Sequence, residues 1–157
     1  MSPRGTRSLP DRRRDEAGIA VDVARDGVTV PVSSARVREI VRAVCEGERV
    51  RAGMVSLTFV TNRVMAKMHR EFLGHRGATD IITFELDAAD GVTMGDIYIA
   101  PDVARANARA HGVGVREEMI RLVIHGTLHV LGYTHPEDER TASVMWRKQE
   151  EWVAAFA

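Results

Sequence analysis

The sequence predicts an α/β (α+β) protein with a mixed sheet of about four strands and helices packed on it. Three observations support this fold class. Segments in which apolar and polar residues alternate are interspersed with segments of helical period. Neighbouring strand-like segments near both ends of the predicted sheet are typical of hairpins, which indicates a mixed sheet. The length of 157 residues suits one domain, assigned to residues 17–157.

Composition and charge narrow the possible classes. The single cysteine, Cys45, excludes an internal disulfide and suits a cytoplasmic protein. No apolar run approaches membrane-spanning length, so we expect no membrane partner. The formal net charge is zero, so any nucleic-acid site has to be a local basic patch. Residues 1–16 are polar, basic and interrupted by proline and glycine, which predicts a disordered basic tail and not a signal peptide.

The first half of the domain alternates strand and helix patterns. Serine before an apolar run of helical period is a favourable N-cap, and Asp-Gly favours a turn. The predicted elements are a strand over 17–24, a turn at 26–27, a segment over 28–32 that pairs with this strand or leads on, a helix from a cap at 33–34 to about Gly47, and a strand over 53–60.

The second helix carries the best local basic patch. Thr61 or Asn62 is placed to cap this helix, and Gly74 is placed to end it. Opposite its apolar face lie regularly spaced cations, with one more in the loop beyond: Arg63, Lys67, Arg70 and Arg76. We interpret these residues as a candidate RNA-binding surface, although a solvated helix face explains the charge pattern equally well.

The second half continues the alternation. β-branched and aromatic residues predict strands, and a proline followed by an acid suits the first turn of a helix. The predicted elements are a strand over 79–86 that is buried on both faces, a loop over 87–90, a strand over 91–100, a helix from Pro101 to His111-Gly112, a largely apolar helix from about Val115 to Leu131, and a final helix opened by residues 136–139.

Three of the six histidines fall between His125 and His135. His125 and His129 are four residues apart, so on a helix they lie on one face. Gly132 can end that helix in a left-handed turn, which allows His135 to return beside them. Three converging imidazoles suit a tetrahedral Zn²⁺ with one position open for water or substrate. We therefore predict a catalytic zinc site, with one ion per chain, at the end of a buried helix.

The residue that follows His125 bears on the chemistry. Metzincin proteases share the ligand spacing, but their motif places Glu directly after the first His as the general base. That position is Gly126 here, which cannot accept a proton. A metalloprotease with an unusual base is therefore an alternative disfavoured by Gly126, and peptide cleavage by the purified protein would support it.

The pattern His-Gly-x-Leu-His-x-x-Gly-Tyr-x-His over 125–135 resembles the signature of the YbeY family, bacterial metal-dependent endoribonucleases. Residues 79–84 are similar to that family's Thr-Asp-Val-Leu-Ser-Phe strand, and residues 95–100 to its Gly-Asp-Ile strand. The resemblance covers about residues 50–150. It implies an α/β fold and zinc bound by His125, His129 and His135. It also implies cleavage of single-stranded RNA in 16S rRNA maturation and ribosome quality control.

The implied partners are an rRNA precursor and ribosomal small-subunit or 70S particles, with no DNA. No catalytic residue is assigned besides the metal-bound water. The chain departs from the family pattern at Leu73, where many members have an RNA-site Arg, and at Glu85 and Thr134. Because of the change at position 73, the alternative stays open that the protein is a ribosome-assembly factor with little nuclease activity. Glu118 and Arg121, on the same helical stripe as the histidines, either support the ligands or form a surface ion pair.

Overall fold

The computed structural model describes residues 18–86, 92–134 and 143–157. Within these residues the elements are, in chain order, β1 (Ile19–Arg25), α1 (Ser34–Gly47), β2 (Gly53–Phe59), α2 (Asn62–Leu73), β3 (Ile81–Leu86), β4 (Thr93–Ile99), α3 (Pro101–His111), α4 (Val115–Val130) and α5 (Val144–Phe156). None of these helices is long and apolar enough to cross a membrane. The predicted tail over 1–16 and the loop over 87–90 lie outside the described residues.

The sheet is mixed, as predicted, with the strand order β1-β2-β4-β3. β1 and β4 are both parallel to β2, and β3 is antiparallel to β4. The prediction of a hairpin-like pair at the N-terminal end of the sheet is wrong, because β1 pairs with β2 and residues 28–32 form no strand. The Arg25 guanidinium donates hydrogen bonds to the carbonyls of Val30 and Val32. These contacts hold the segment as it leads on to α1.

The two faces of the sheet pack against different helices. One face forms the main core with α1, α4 and α5, and buries alternate strand residues such as Leu57 and Ile97. On the other face a smaller cluster places Met65 of α2 over Ile82. The prediction that β3 is buried on both faces is wrong, since only Ile82 of that strand is buried and Leu86 is exposed. Among the strands of the described residues, β3 lies at the edge of the sheet and pairs with β4 alone.

Most helix ends follow from local sequence. The Ser33 and Thr61 hydroxyls accept hydrogen bonds from the third residue beyond them and cap α1 and α2. Gly74 and Gly112 end α2 and α3 in the left-handed conformation. Ser143 caps α5, which begins at Val144. The residues proposed to open it, 136–139, lie outside the described residues.

α4 lies unusually close to the sheet at two glycines. A Cβ atom at Gly126 would lie 2.8 Å from Ile97 Cγ2 and 2.9 Å from Ile81 Cδ1. A Cβ atom at Gly95 of β4 would lie 2.5 Å from Val130 Cγ1. All three distances are shorter than ordinary van der Waals contact. Glycines on the helix and on the strand therefore set how closely the histidine-bearing helix approaches β3 and β4.

Candidate metal centre

His125 and His129 lie next to each other on the last two turns of α4. Their ring centroids are 4.6 Å apart with an interplanar angle of 77°. Both side chains are half-buried on a helix whose other faces bury Met119, Ile120 and Leu128. The prediction that the two histidines share one helix face is confirmed. A half-buried pair of imidazoles packed edge to face has the donor chemistry of a zinc site.

The turn after α4 has the conformation expected from Gly132. Gly132 has φ +97°, and its N–H donates to the His129 carbonyl at 3.0 Å. The Tyr133 N–H donates to the Leu128 carbonyl at 3.0 Å. These two bonds form a Schellman motif, which ends the helix and redirects the chain.

The predicted third ligand, His135, lies outside the described residues, so two of the three predicted ligands are placed together. Within the described ranges, no three His, Cys, Asp or Glu side chains form a group that could hold a metal ion.

A side chain that the sequence analysis did not single out, Gln149, contacts the candidate ligand His125. His125 Nδ1 donates to Gln149 Oε1 of α5 at 2.6 Å, and Gln149 is only 3% exposed. Met145, Gln149 and Val153 are spaced four apart and form the buried stripe of α5. The sequence did contain a signal for this contact, namely a single amide within an otherwise apolar helix stripe. A buried polar group requires hydrogen-bond partners.

Arg121 connects α4 to α5 beside this pair. Its Nε and Nη2 atoms donate to the two carboxylate oxygens of Glu150 at 3.0 and 2.9 Å, and these bonds lower the pKa of Glu150. Glu118 lies 3.5 Å from Arg121 Nη1. Burial raises the pKa of Glu118, and the neighbouring Asp80 carboxylate adds to this effect against the opposing charge of Arg121. Arg121 therefore lies in a partly buried network between helices, one turn before His125.

Glu48, just beyond α1, anchors the turn that follows the histidines. It accepts hydrogen bonds from the Tyr133 hydroxyl at 2.6 Å, from Lys148 Nζ at 2.9 Å and from Trp152 Nε1 at 3.3 Å. Burial alone would raise the pKa of the Glu48 carboxyl, but these three bonds outweigh it and the pKa lies below its usual value. One carboxylate thus connects α1, the turn after α4, and α5.

We expect Glu48→Gln to destabilise the protein by about 1–2 kcal/mol at pH 7, since hydrogen bonds to a charged group contribute roughly that much at a partly exposed site. Because the folded-state pKa is depressed, the carboxylate's contribution is present above the unfolded pKa and is lost as the pH falls through the folded pKa. Urea unfolding of both proteins should show a difference that narrows from pH 7 to pH 3.5. Glu46→Gln, on the exposed side of α1, is the control and should behave as wild type at both pH values.

The predicted basic surface lies on α2, on the other side of the sheet from α4. Arg63, Lys67, Arg70 and Arg76 are all exposed. The first three line an open concavity of about 550 Å³ together with Val64 and Ala66. Leu73 is 49% exposed at the end of the same helix. The structure therefore groups three of the four predicted cations at one concave surface.

Comparison with known proteins identifies relatives over most of the chain. The family model described as "Endoribonuclease YbeY" matches residues 23–157. The chain is 34% identical over 110 residues to the endoribonuclease YbeY of Chlorobaculum tepidum. This alignment covers 70% of this chain and 80% of the relative. The chain is also 32% identical over 153 residues to the endoribonuclease YbeY of Frankia alni. That alignment covers 88% of this chain and 83% of the relative.

The fold has a counterpart of known structure. The solution structure of a Thermotoga maritima protein superposes with a TM-score of 0.58 over 85% of this chain and 86% of that chain, at 24% sequence identity. That likeness supports the mixed α/β fold. The two relatives, together with the family model, establish the family to which the chain belongs. The chain belongs to the YbeY family of endoribonucleases.

Proposed function

We propose that this protein is a cytoplasmic, zinc-dependent endoribonuclease that cuts single-stranded RNA, and that it acts in 16S rRNA maturation and ribosome quality control. The observation that carries the proposal is the adjacent pair His125 and His129, followed directly by the turn at Gly132. Membership of the YbeY family supports hydrolysis of RNA as the reaction.

The donor set fits zinc. Gln149 Oε1 can only accept, so His125 donates from Nδ1 and a neutral ring carries its lone pair on Nε2. Zinc binds neutral imidazoles in this way, commonly with the other ring nitrogen donating to an oxygen. In the proposal His125, His129 and His135 hold one ion. When bound, zinc supplies Lewis-acid chemistry at the phosphodiester.

The basic surface is assigned to the RNA backbone. Lys and Arg that neutralise phosphates supply affinity independent of sequence, and this affinity falls as salt rises. The exposed set Arg63, Lys67 and Arg70, with Arg76 beyond them, suits this role. Proteins that bind single-stranded nucleic acid commonly use a positively charged groove that follows the backbone, and we assign the concave surface around the first three cations to this role.

Gly126 counts against the protease alternative. Its Cβ position points at Ile97 and Ile81 of the sheet, where a glutamate side chain has no room. A glutamate after the first histidine, the base that metzincin proteases use, is therefore incompatible with this packing.

A second candidate is an assembly factor that binds ribosomal particles and cuts little RNA. Leu73 favours it, because an exposed leucine stands at the position where the family resemblance implies an arginine of the RNA site. In this candidate the zinc site stabilises the fold and the α2 surface supplies binding.

The proposal is tested with the purified protein and two RNAs of equal length, one a single-stranded fragment of precursor 16S rRNA and the other fully paired. We expect one zinc per chain by elemental analysis and cleavage of the single-stranded RNA alone. A chelator should stop cleavage and added zinc should restore it. Cleavage that persists without zinc would contradict the proposed mechanism. If the protein binds zinc and binds ribosomal particles but leaves the RNA intact, the assembly-factor candidate would be favoured.

A further inference from the structure

A continuous hydrogen-bond chain links His125 to the neighbouring helix. His125 Nδ1 donates to Gln149 Oε1 at 2.6 Å, and Gln149 Nε2 donates to Glu150 Oε2 at 3.2 Å. The same Glu150 carboxylate accepts two bonds from Arg121. Consecutive residues of α5 therefore contact two residues of α4 that lie one turn apart, Arg121 and His125.

The chain determines which way the Gln149 amide points. Glu150, whose pKa is lowered by Arg121, is a carboxylate and can only accept hydrogen bonds, so the Gln149 NH₂ group faces it. The amide oxygen then faces His125, which has to donate from Nδ1. Burial restricts the alternatives, because Gln149 is 3% exposed and both ends of its amide need partners.

We propose that Gln149 is a positioning residue for His125: it selects the Nδ1-protonated tautomer, holds the ring in place, and presents Nε2 to the metal. The inference rests on the zinc site of the proposed function, and it assigns to that site a residue from a different helix. Glu150 and Arg121 act through Gln149, since they orient its amide. Loss of such an outer partner typically lowers metal affinity by roughly 10- to 100-fold.

A purely structural role for Gln149, holding α5 against α4, makes different predictions. Gln149→Leu removes the amide while approximately preserving volume. Met145→Leu changes a 1%-exposed residue one turn earlier on the same buried stripe and serves as the packing control. A structural role predicts similar zinc affinities for Gln149→Leu and Met145→Leu.

The first measurement is ¹⁵N NMR of the histidine rings in metal-free protein at pH 8. We expect the Nδ1–H tautomer for His125 in the wild type and in Met145→Leu, and its loss in Gln149→Leu. An Nε2–H tautomer in the wild type, or an unchanged tautomer in Gln149→Leu, would overturn the inference. This readout needs no zinc and no RNA.

The second measurement is zinc affinity by chelator competition. We expect Gln149→Leu to bind zinc roughly 10- to 100-fold more weakly than wild type and Met145→Leu to match wild type. Wild-type affinity in Gln149→Leu would overturn the positioning role. A wild-type protein that binds no zinc would overturn the proposed metal centre, and the tautomer measurement would then decide separately whether Gln149 orients His125.

Discussion

His129→Ala is expected to abolish zinc binding and RNA cleavage together. His129 lies on the last turn of α4 beside His125, and alanine is a good helix former, so the substitution removes one imidazole without breaking the helix. We expect zinc content to fall from one per chain to background. Cleavage should fall by more than about 100-fold, because even the loss of an outer partner of a ligand costs roughly 10- to 100-fold. Elemental analysis and a single-stranded RNA assay on the same sample check both.

A matched control is available for this experiment. His111 also lies at the end of a helix, and its Nδ1 donates to the Asn107 carbonyl at 2.9 Å on α3. His111→Ala should therefore retain both zinc and cleavage. Full zinc stoichiometry in His129→Ala would contradict the three-histidine centre, whatever the activity of that variant.

Gly126→Val is expected to lower the free energy of unfolding by about 3 kcal/mol, the upper end of the usual cost of overpacking a core. A Cβ atom at this position would already lie 2.8 Å from Ile97 Cγ2 and 2.9 Å from Ile81 Cδ1, and valine adds two methyl groups. α4 would have to move away from β3 and β4, which carries the histidines with it. Urea unfolding monitored by circular dichroism measures the loss.

The control for this prediction is Gly114→Val, just before α4. No atom lies within 4 Å of a Cβ at Gly114, and its φ of −66° is one that valine adopts readily. Gly114 is the N-cap of α4 and makes no side-chain cap bond, so we expect valine to cost only about 1 kcal/mol there, through the lower N-cap preference of valine. Destabilisation at position 126 no larger than at position 114 would show that contact with the sheet does not require glycine at 126, since helix propensity alone favours valine over glycine.

Features that depend on short stretches of chain were predictable from the sequence. Caps at Ser33 and Thr61 and the left-handed Gly74 need only a few consecutive residues, because the hydrogen bonds that form them are local. The pairing of His125 with His129 needs only the helical period. Alternating patterns located β1 and β2 for the same reason, since side chains in a strand change face at every residue. The β-branched and aromatic residues located β3 and β4.

Sequence alone determined the elements, the mixed α/β class and two adjacent candidate ligands, because each follows from interactions within one helix or strand. The tertiary structure decided which strands pair, so residues 28–32 form no hairpin and β3 becomes an edge strand. It also revealed that Gly126 packs against the sheet and that Gln149 contacts His125 across 24 residues of chain. These features depend on contacts between residues that are distant in the chain. Such contacts cannot be predicted from the period of one segment or from the residues that cap one helix.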